Sequence, residues 1–436
     1  MLSTIGLIFA LSLLIVLTIR GMNLLIAAPV CALIVAITGS LELIPTQGAA
    51  TGEDYVSSYM AGFSAFIQSW FFMFLLGSIF GKLMEDSGAA ESVARWIIEK
   101  LGSKYAAFAT VIACAVLTYG GVSLFVVAFT AFPIALGLFK QANLPRRFIP
   151  ATLAFGSVTF TMTSAGSPEI QNWIPIEFLG TSPYAEWQVS LVVAVFMASF
   201  GFWWLRRMLN KAVAAGEQFD SRATDPPENP RTLPNPLLSL VPLGMVLGTT
   251  FVLHDDYGSA ALIAALMAGC IATWLINIRF LPSPGMALSA GAIGALIAIG
   301  NTAAVVGFGS VAKVSPAFDI AVQFVTSIPG NELIGAAIAV SIIAALTGSA
   351  SGGQSIALPV LAPQYLELGV DPDALHRVVA ISSGALDSLP HNGYVVTTIR
   401  AICGETHRAA YWPLGALTVV IPVIGTALAI VLLLMF

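Results

Sequence analysis

Two uncharged windows, Tyr105–Phe139 and Leu333–Tyr365, constrain this chain more than any other feature. They run for 35 and 33 residues. A helix that crosses a bilayer needs about 20 apolar residues, so each window is too long for one span and too short for two. Each is interrupted near its middle by small polar residues, Tyr119-Gly120-Gly121 in one and Thr347-Gly348-Ser349-Ala350-Ser351-Gly352-Gly353 in the other. The reading that fits both is a helical hairpin that enters the membrane, turns near its middle and leaves on the same side. Irregular backbone at that depth is tolerated only where protein or a polar cavity surrounds it.

The rest of the chain agrees with a membrane setting. Charged residues make up 9% of the 436 and apolar residues 57%, where a soluble domain carries about 25% charge. Too few charges remain to wet a soluble surface, and the mean hydropathy of +0.89 says the same. Single spans are expected at Leu2–Ile19, Gly21–Leu41, Ala61–Gly81, Trp187–Leu205, Leu237–Leu253, Tyr257–Ile278, Met286–Ser310 and Ala409–Phe436. The first lacks a basic leader and is read as a retained span. The net charge of −5 includes no basic run for a nucleic acid, so no such partner is expected. Four cysteines without metal-ligand spacing are read as reduced, buried thiols.

Two further spans are broken rather than long. Phe148–Gly180 contains Thr163-Ser164-Ala165-Gly166-Ser167-Pro168-Glu169, and Arg377–Ile399 contains Asp387-Ser388-Leu389-Pro390-His391-Asn392-Gly393. Proline among glycine and hydroxyl residues cannot continue a helical ladder. Cytoplasmic loops collect Lys and Arg; an N-terminus outside, with both hairpins re-entrant, puts 16 of the 18 basic residues inside. Lys313 and Arg377 are the exceptions, and Arg377 with Arg400 reads as an interface anchor.

A shift of 228 positions pairs Gly81 with Gly309, Gly102 with Gly330, Gly120 with Gly348, Ser123 with Ser351 and Gly156 with Gly384. Five spans separate equivalent points, so the two copies are expected to be inverted in the membrane. Inverted repeats with discontinuous helices mark secondary transporters. Amphipathic stretches at 88–102 and 316–328 precede the two hairpins as arms. The fold expected is therefore an all-α polytopic membrane protein. Its parts are scaffold spans 1–85, an arm 86–104, a transport unit 105–206, a cytoplasmic linker 207–236, scaffold spans 237–310, an arm 311–330 and a transport unit 331–436. The Asp225-Pro226-Pro227-Glu228-Asn229-Pro230 run makes that linker extended.

This order, with Tyr119–Ser123, Gly166–Asn172 and Ser382–Gly393, resembles the gluconate:proton symporter (GntP-type) permease family and, more broadly, the ion-transporter superfamily of organic-anion carriers. The resemblance implies proton-driven uptake of a small carboxylate across the cell inner membrane. It also implies a homodimer whose transport unit slides as an elevator. The Ala165-Gly166-Ser167-Pro168 break is more similar to permeases for short hydroxy acids such as 3-hydroxybutyrate than to the gluconate branch, where the break carries a His-Pro-Gly element.

An anion at mid-membrane can be held by half-helix N-termini, which concentrate partial positive charge and free N–H groups. Substrate-binding candidates at such ends are Ser123, Thr163, Ser164, Ser167, Asn172, Ser351, Gln354, Ser355, Ser388 and Asn392. Each hydroxyl also has a purely structural use, capping its own broken helix. Intramembrane ionisable groups are functional candidates; Asp387 and His391 are assigned to proton coupling as a pair, with Glu169 as the rival carrier. Glu177 is read as interfacial. Ser388, Asp387 and His391 crowd one turn and cannot align as a hydrolytic triad, so no enzyme and no cofactor are expected. The coupling ion is a proton, with sodium as the other option, and the alternative function is a sodium-coupled dicarboxylate carrier.

Overall fold

The computed structural model describes residues 2–20, 22–45, 54–102, 105–222, 225, 232–318, 320 and 331–435. Among these the chain is helical, without a strand. Seven helices are long and apolar enough to cross a membrane.

The first triplet is α1 (Leu2–Ile19), α2 (Leu24–Thr38) and α3 (Tyr55–Asp86). Asn23 caps α2 by accepting from the Leu25 N–H, and Asp54 caps α3 by accepting from the Ser57 N–H. The second triplet is α10 (Pro236–Tyr257), α11 (Ala260–Asn277) and α12 (Pro284–Lys313). Asn235 caps α10, and Pro236 costs nothing there because a first-turn N–H has no helical partner. The two longest helices, α3 and α12, pack against each other through glycine notches. A side chain at Gly62 would run into Ser310, at Gly291 into Ile79 and at Gly307 into the Tyr59 ring. In lipid, helices associate through such close backbone approach rather than through hydrophobic burial. The Tyr59 hydroxyl donates to the Ala304 carbonyl at 3.0 Å across this seam.

Between and after the triplets lie the interrupted elements. An amphipathic helix, α4 (Ala89–Leu101), leads from α3 to the first hairpin. It buries Val93, Ala94 and Ile97, and its outward Glu91 pairs with Arg95 at 3.0 Å. The first hairpin is α5 (Ala106–Tyr119) and α6 (Leu124–Gln141), joined through Gly120–Ser123. At 14 residues, α5 is about 21 Å long, short of the roughly 30 Å hydrocarbon layer. The second is α13 (Glu332–Thr347) and α14 (Ala350–Glu367). Its turn needs glycine, because Gly348 sits at φ +60 and a side chain there would meet the His391 ring.

Both interrupted spans are broken as expected. The first comprises α7 (Ile149–Ala154), wide π-type turns at Phe155–Thr159, an irregular stretch, and α8 (Ile174–Leu179). The second comprises α15 (Pro372–Ser383), an irregular stretch through 392, and α16 (Gly393–Val396) running into Thr397–Ile402. The remaining long helices are α9 (Trp187–Ala214) and the pair α17 (His407–Gly415) and α18 (Ile421–Met435). Gly81 of α3 faces Ser123 and Val126 of the first hairpin, while Gly309 of α12 faces Ile356 of the second.

The run expected to be extended, Asp225–Pro230, lies outside the described residues except for Asp225; the residues before it are described. Helix α9 continues to Ala214, and the segment after it folds back onto both halves. Arg146, 5% exposed, donates to Asp225 at 2.8 Å and to the Asp220 and Cys403 carbonyls, and lies 3.1 Å from Glu405. Arg222 reaches Glu405 at 2.8 Å, and Arg147 grips Glu217 with two bonds at 2.6 and 2.8 Å. That fork holds the Glu217 carboxyl below the usual carboxylate range. Burial pushes Asp225 up, but the Arg222 N–H and the Arg146 guanidinium outweigh it and leave Asp225 low. A basic pair that starts the first broken helix is thus clasped to the end of the second. The linker residues 223–224 and 226–231, residues 103–104 of the first expected arm, and most of the arm expected at 311–330 (319 and 321–330) lie outside the described residues.

Candidate functional site

Both hairpin tips and both helix breaks meet α3, α11 and α12 around one cavity of about 340 Å³. Its wall contains Gly121 and Ser123 from the first tip, Ser349 and Ser351 from the second, Glu169 and Gln171 from the first break, and Asp387, Ser388 and Asn392 from the second. The opposite wall is Ser78 and Met73 of α3, Leu262 and Leu266 of α11, and Asn301 and Thr302 of α12.

The tips present helix N-termini to this space. Ser123 precedes α6 without using its side chain as a cap, and the first N–H groups of a helix have no helical acceptor. At α14 the Ser349 hydroxyl accepts from the Gly352 N–H, and its Oγ lies 3.3 Å from that of Ser351. Two uncapped or lightly capped termini therefore bring donors to a space that also holds two carboxyl groups. Asp387 is buried and accepts from the Ser388 hydroxyl at 2.9 Å, while Glu169 is half-buried. Donors favour an anion, and a carboxyl that can be neutral or charged can make that preference depend on a proton.

The structure gathers six of the sequence candidates at the cavity: Ser123, Glu169, Ser351, Asp387, Ser388 and Asn392. Asn392 is spent structurally, since its Oδ1 accepts from the Val395 N–H and its Nδ2 donates to the Gly348 carbonyl at 2.9 Å. The others stand behind the wall. Ser164 donates to the Phe160 carbonyl and lines a larger apolar cavity between α5, α9 and α10. Thr163 and Ser167 offer their carbonyls to neighbouring side chains, to Arg377 in one case and to Asn172 and Trp173 in the other. Ser355 donates to the Ser351 carbonyl. Gln354, fully buried, bridges the two breaks by donating to the Gln171 carbonyl and the Ser383 hydroxyl, both at 2.9 Å.

Two expectations need correction. Asp387 and His391 do not form a pair: His391 turns away and its Nε2 meets the Ala345 carbonyl at 2.9 Å, tying the second break to the second hairpin. A turn closed by the Asn392 N–H on the Leu389 carbonyl interrupts the helix here, so four residues do not have helical spacing. Arg377 is no interface anchor. It is completely buried, and its guanidinium donates to the carbonyls of Ala185, Thr163 and Pro183 and to Asn172 Oδ1, at 2.9, 2.9, 3.4 and 3.0 Å. Helix α15 begins at Pro372, earlier than the span expected from hydropathy, and so carries Arg377 inward to the carbonyls that the first break leaves free. Glu177 is exposed enough to accept from the Ser69 hydroxyl of α3 at 3.1 Å.

Gln171, Asn301 and Thr302 were not singled out from the sequence. A lone amide in the apolar run of α12 was the available signal for Asn301. The side-chain oxygens of Gln171 and Asn301 are buried and have no hydrogen-bond partner among the described residues.

The GntP family permease model matches residues 2–165. An uncharacterized transporter of Bacillus subtilis, YxjC, is 36% identical over 94% of both chains, and an uncharacterized transporter of Haemophilus influenzae is 24% identical over 78% of this chain and 79% of its own. Among solved structures, the YdaH transporter of Alcanivorax borkumensis, described as having an unusual topology, superposes with a TM-score of 0.56. It is 14% identical and the match covers 99% of this chain and 98% of that one, a likeness of fold. Identity of this extent along a whole relative makes the chain a member of the GntP permease family, a multi-pass membrane transporter and not an enzyme.

Proposed function

We propose that the protein takes up a small organic anion together with a proton, its substrate being a short hydroxy monocarboxylate of the 3-hydroxybutyrate kind. The cavity carries this reading. It lies at the small end of ligand-site volumes, and it combines helix N-termini and serine hydroxyls with two carboxyl groups. One carboxylate can be held by such dipoles.

In this reading the two repeats are inverted and the hairpins with the broken helices move as an elevator against α1–α3 and α10–α12. Hydrogen bonds tie the moving parts to one another, Tyr119 to Ala165, Gln354 to Gln171 and Asn392 to Gly348. Against the scaffold, by contrast, the hairpins set glycine and apolar side chains, Gly120 on Leu243, Gly121 on Val246 and Ile356 on Gly309. The protein sits in the inner membrane with its N-terminus outside, and two copies form the transporter. The burial of Arg377 removes one of the two basic exceptions to that orientation.

Ligand-dependent thermal stability of the purified protein tests the substrate class, because a ligand that binds the folded state raises its apparent stability by mass action. Among C3–C6 carboxylates, 3-hydroxybutyrate should raise the melting temperature without sodium. Stabilisation by succinate or citrate that requires sodium, with none by hydroxybutyrate, would establish the sodium-coupled dicarboxylate carrier instead.

A further inference from the structure

We infer that Arg377 is a positioning residue that makes the cavity selective for an anion, acting through the first break without touching the substrate. The inference rests on the proposed carboxylate reading of that cavity. Its observations are the burial and the company of this side chain. Arg377 is 0% exposed, and each acceptor it holds is neutral: three backbone carbonyls and one amide oxygen. No ion pair joins it to a carboxylate among the described residues.

Glu186 and Asp373 act on Arg377 electrostatically without a direct bond, and in a membrane interior the charge of a buried guanidinium is weakly screened. Its acceptors adjoin the cavity. Thr163 follows Met162, and Asn172 follows Gln171; Met162 and Gln171 both line the wall. The positive field therefore reaches the space where Ser123, Ser351 and Ser388 present their donors, and an anion there adds to the partial compensation that Glu186 and Asp373 give the guanidinium. The same bonds fix the path of the break. Asn172 donates in turn to the Ser167 and Pro183 carbonyls, and Trp173 donates to Ser167. Charge and position come from one side chain, as expected for a planar fork with five donors.

The test compares an acid with its neutral amide, a ratio that a merely structural residue would leave alone. Dissociation constants for 3-hydroxybutyrate and 3-hydroxybutyramide are measured on purified wild-type protein and on Arg377→Gln, Arg377→Lys and Asn172→Asp, each checked for monodisperse elution. Wild type should prefer the acid. Arg377→Gln should lose about tenfold or more of acid affinity with little change for the amide. Arg377→Lys should keep the preference while binding both more weakly. Asn172→Asp leaves the guanidinium in place but sets a carboxylate on it, and should lower the acid preference as Arg377→Gln does, so one folded variant of the two suffices. An unchanged acid-to-amide ratio in whichever of these folds would overturn the inference. Wild-type protein that binds neither compound would overturn the carboxylate reading itself, and this inference with it.

Discussion

Asp387→Asn should exchange substrate across a vesicle membrane at close to the wild-type rate, yet fail to accumulate it against a pH gradient. Asparagine keeps the size of the side chain and can still accept from Ser388, but it cannot take up and release a proton. For one proton per anion, a gradient of about one pH unit, or about 1.4 kcal/mol, supports roughly tenfold accumulation, and the variant should show none. Glu169→Gln is the matched control, since Glu169 lines the same cavity from the first break. Coupling that survives in Asp387→Asn and vanishes in Glu169→Gln would move the proton carrier to the first break. His391→Gln should leave coupling intact, because His391 is occupied with the Ala345 carbonyl and not with Asp387.

The second large effect concerns motion. In a background where Cys31, Cys114, Cys270 and Cys403 are replaced, Gly120→Cys with Leu243→Cys joins the first hairpin tip to α10. An ideal Cβ at Gly120 lies 2.8 Å from the Leu243 Cβ, close enough for a disulfide after a small shift. Oxidation should abolish transport and reduction should restore it. The paired control, Thr163→Cys with Gly384→Cys, links the two breaks within the proposed moving unit, where an ideal Cβ at Gly384 is 3.2 Å from Thr163 Cγ2. Its oxidation should leave transport unchanged. Transport that survives the first crosslink and stops with the second would argue for local gating around an unmoving site.

Helix positions were legible because hydropathy and proline act locally. The expected spans Leu2–Ile19, Leu237–Leu253 and Met286–Ser310 fall within or at the bounds of α1, α10 and α12, and both breaks occur where a proline meets small polar residues. What local chemistry could not indicate was direction. Nothing in the spacing of Ser164 or Ser355 tells whether a hydroxyl faces a cavity or the preceding turn, and both took the turn. Arg377 misled for the opposite reason. A cation at the edge of an apolar window usually snorkels, but here the acceptors come from 163–185, 192 to 214 residues away in sequence. The residues after α9 show the same limit, since Arg146 and Arg147 supply Asp225 and Glu217 with partners that only the folded chain brings near.

Uptake of labelled 3-hydroxybutyrate into proteoliposomes holding the purified protein tests the central claim most directly. The interior is set alkaline to the exterior, without sodium on either side. Accumulation should rise with the size of the pH gradient, collapse on adding a protonophore, and be competed by other short hydroxy monocarboxylates but not by succinate or citrate. Uptake that only equilibrates whatever the gradient, or that appears only with sodium and a dicarboxylate, would contradict it.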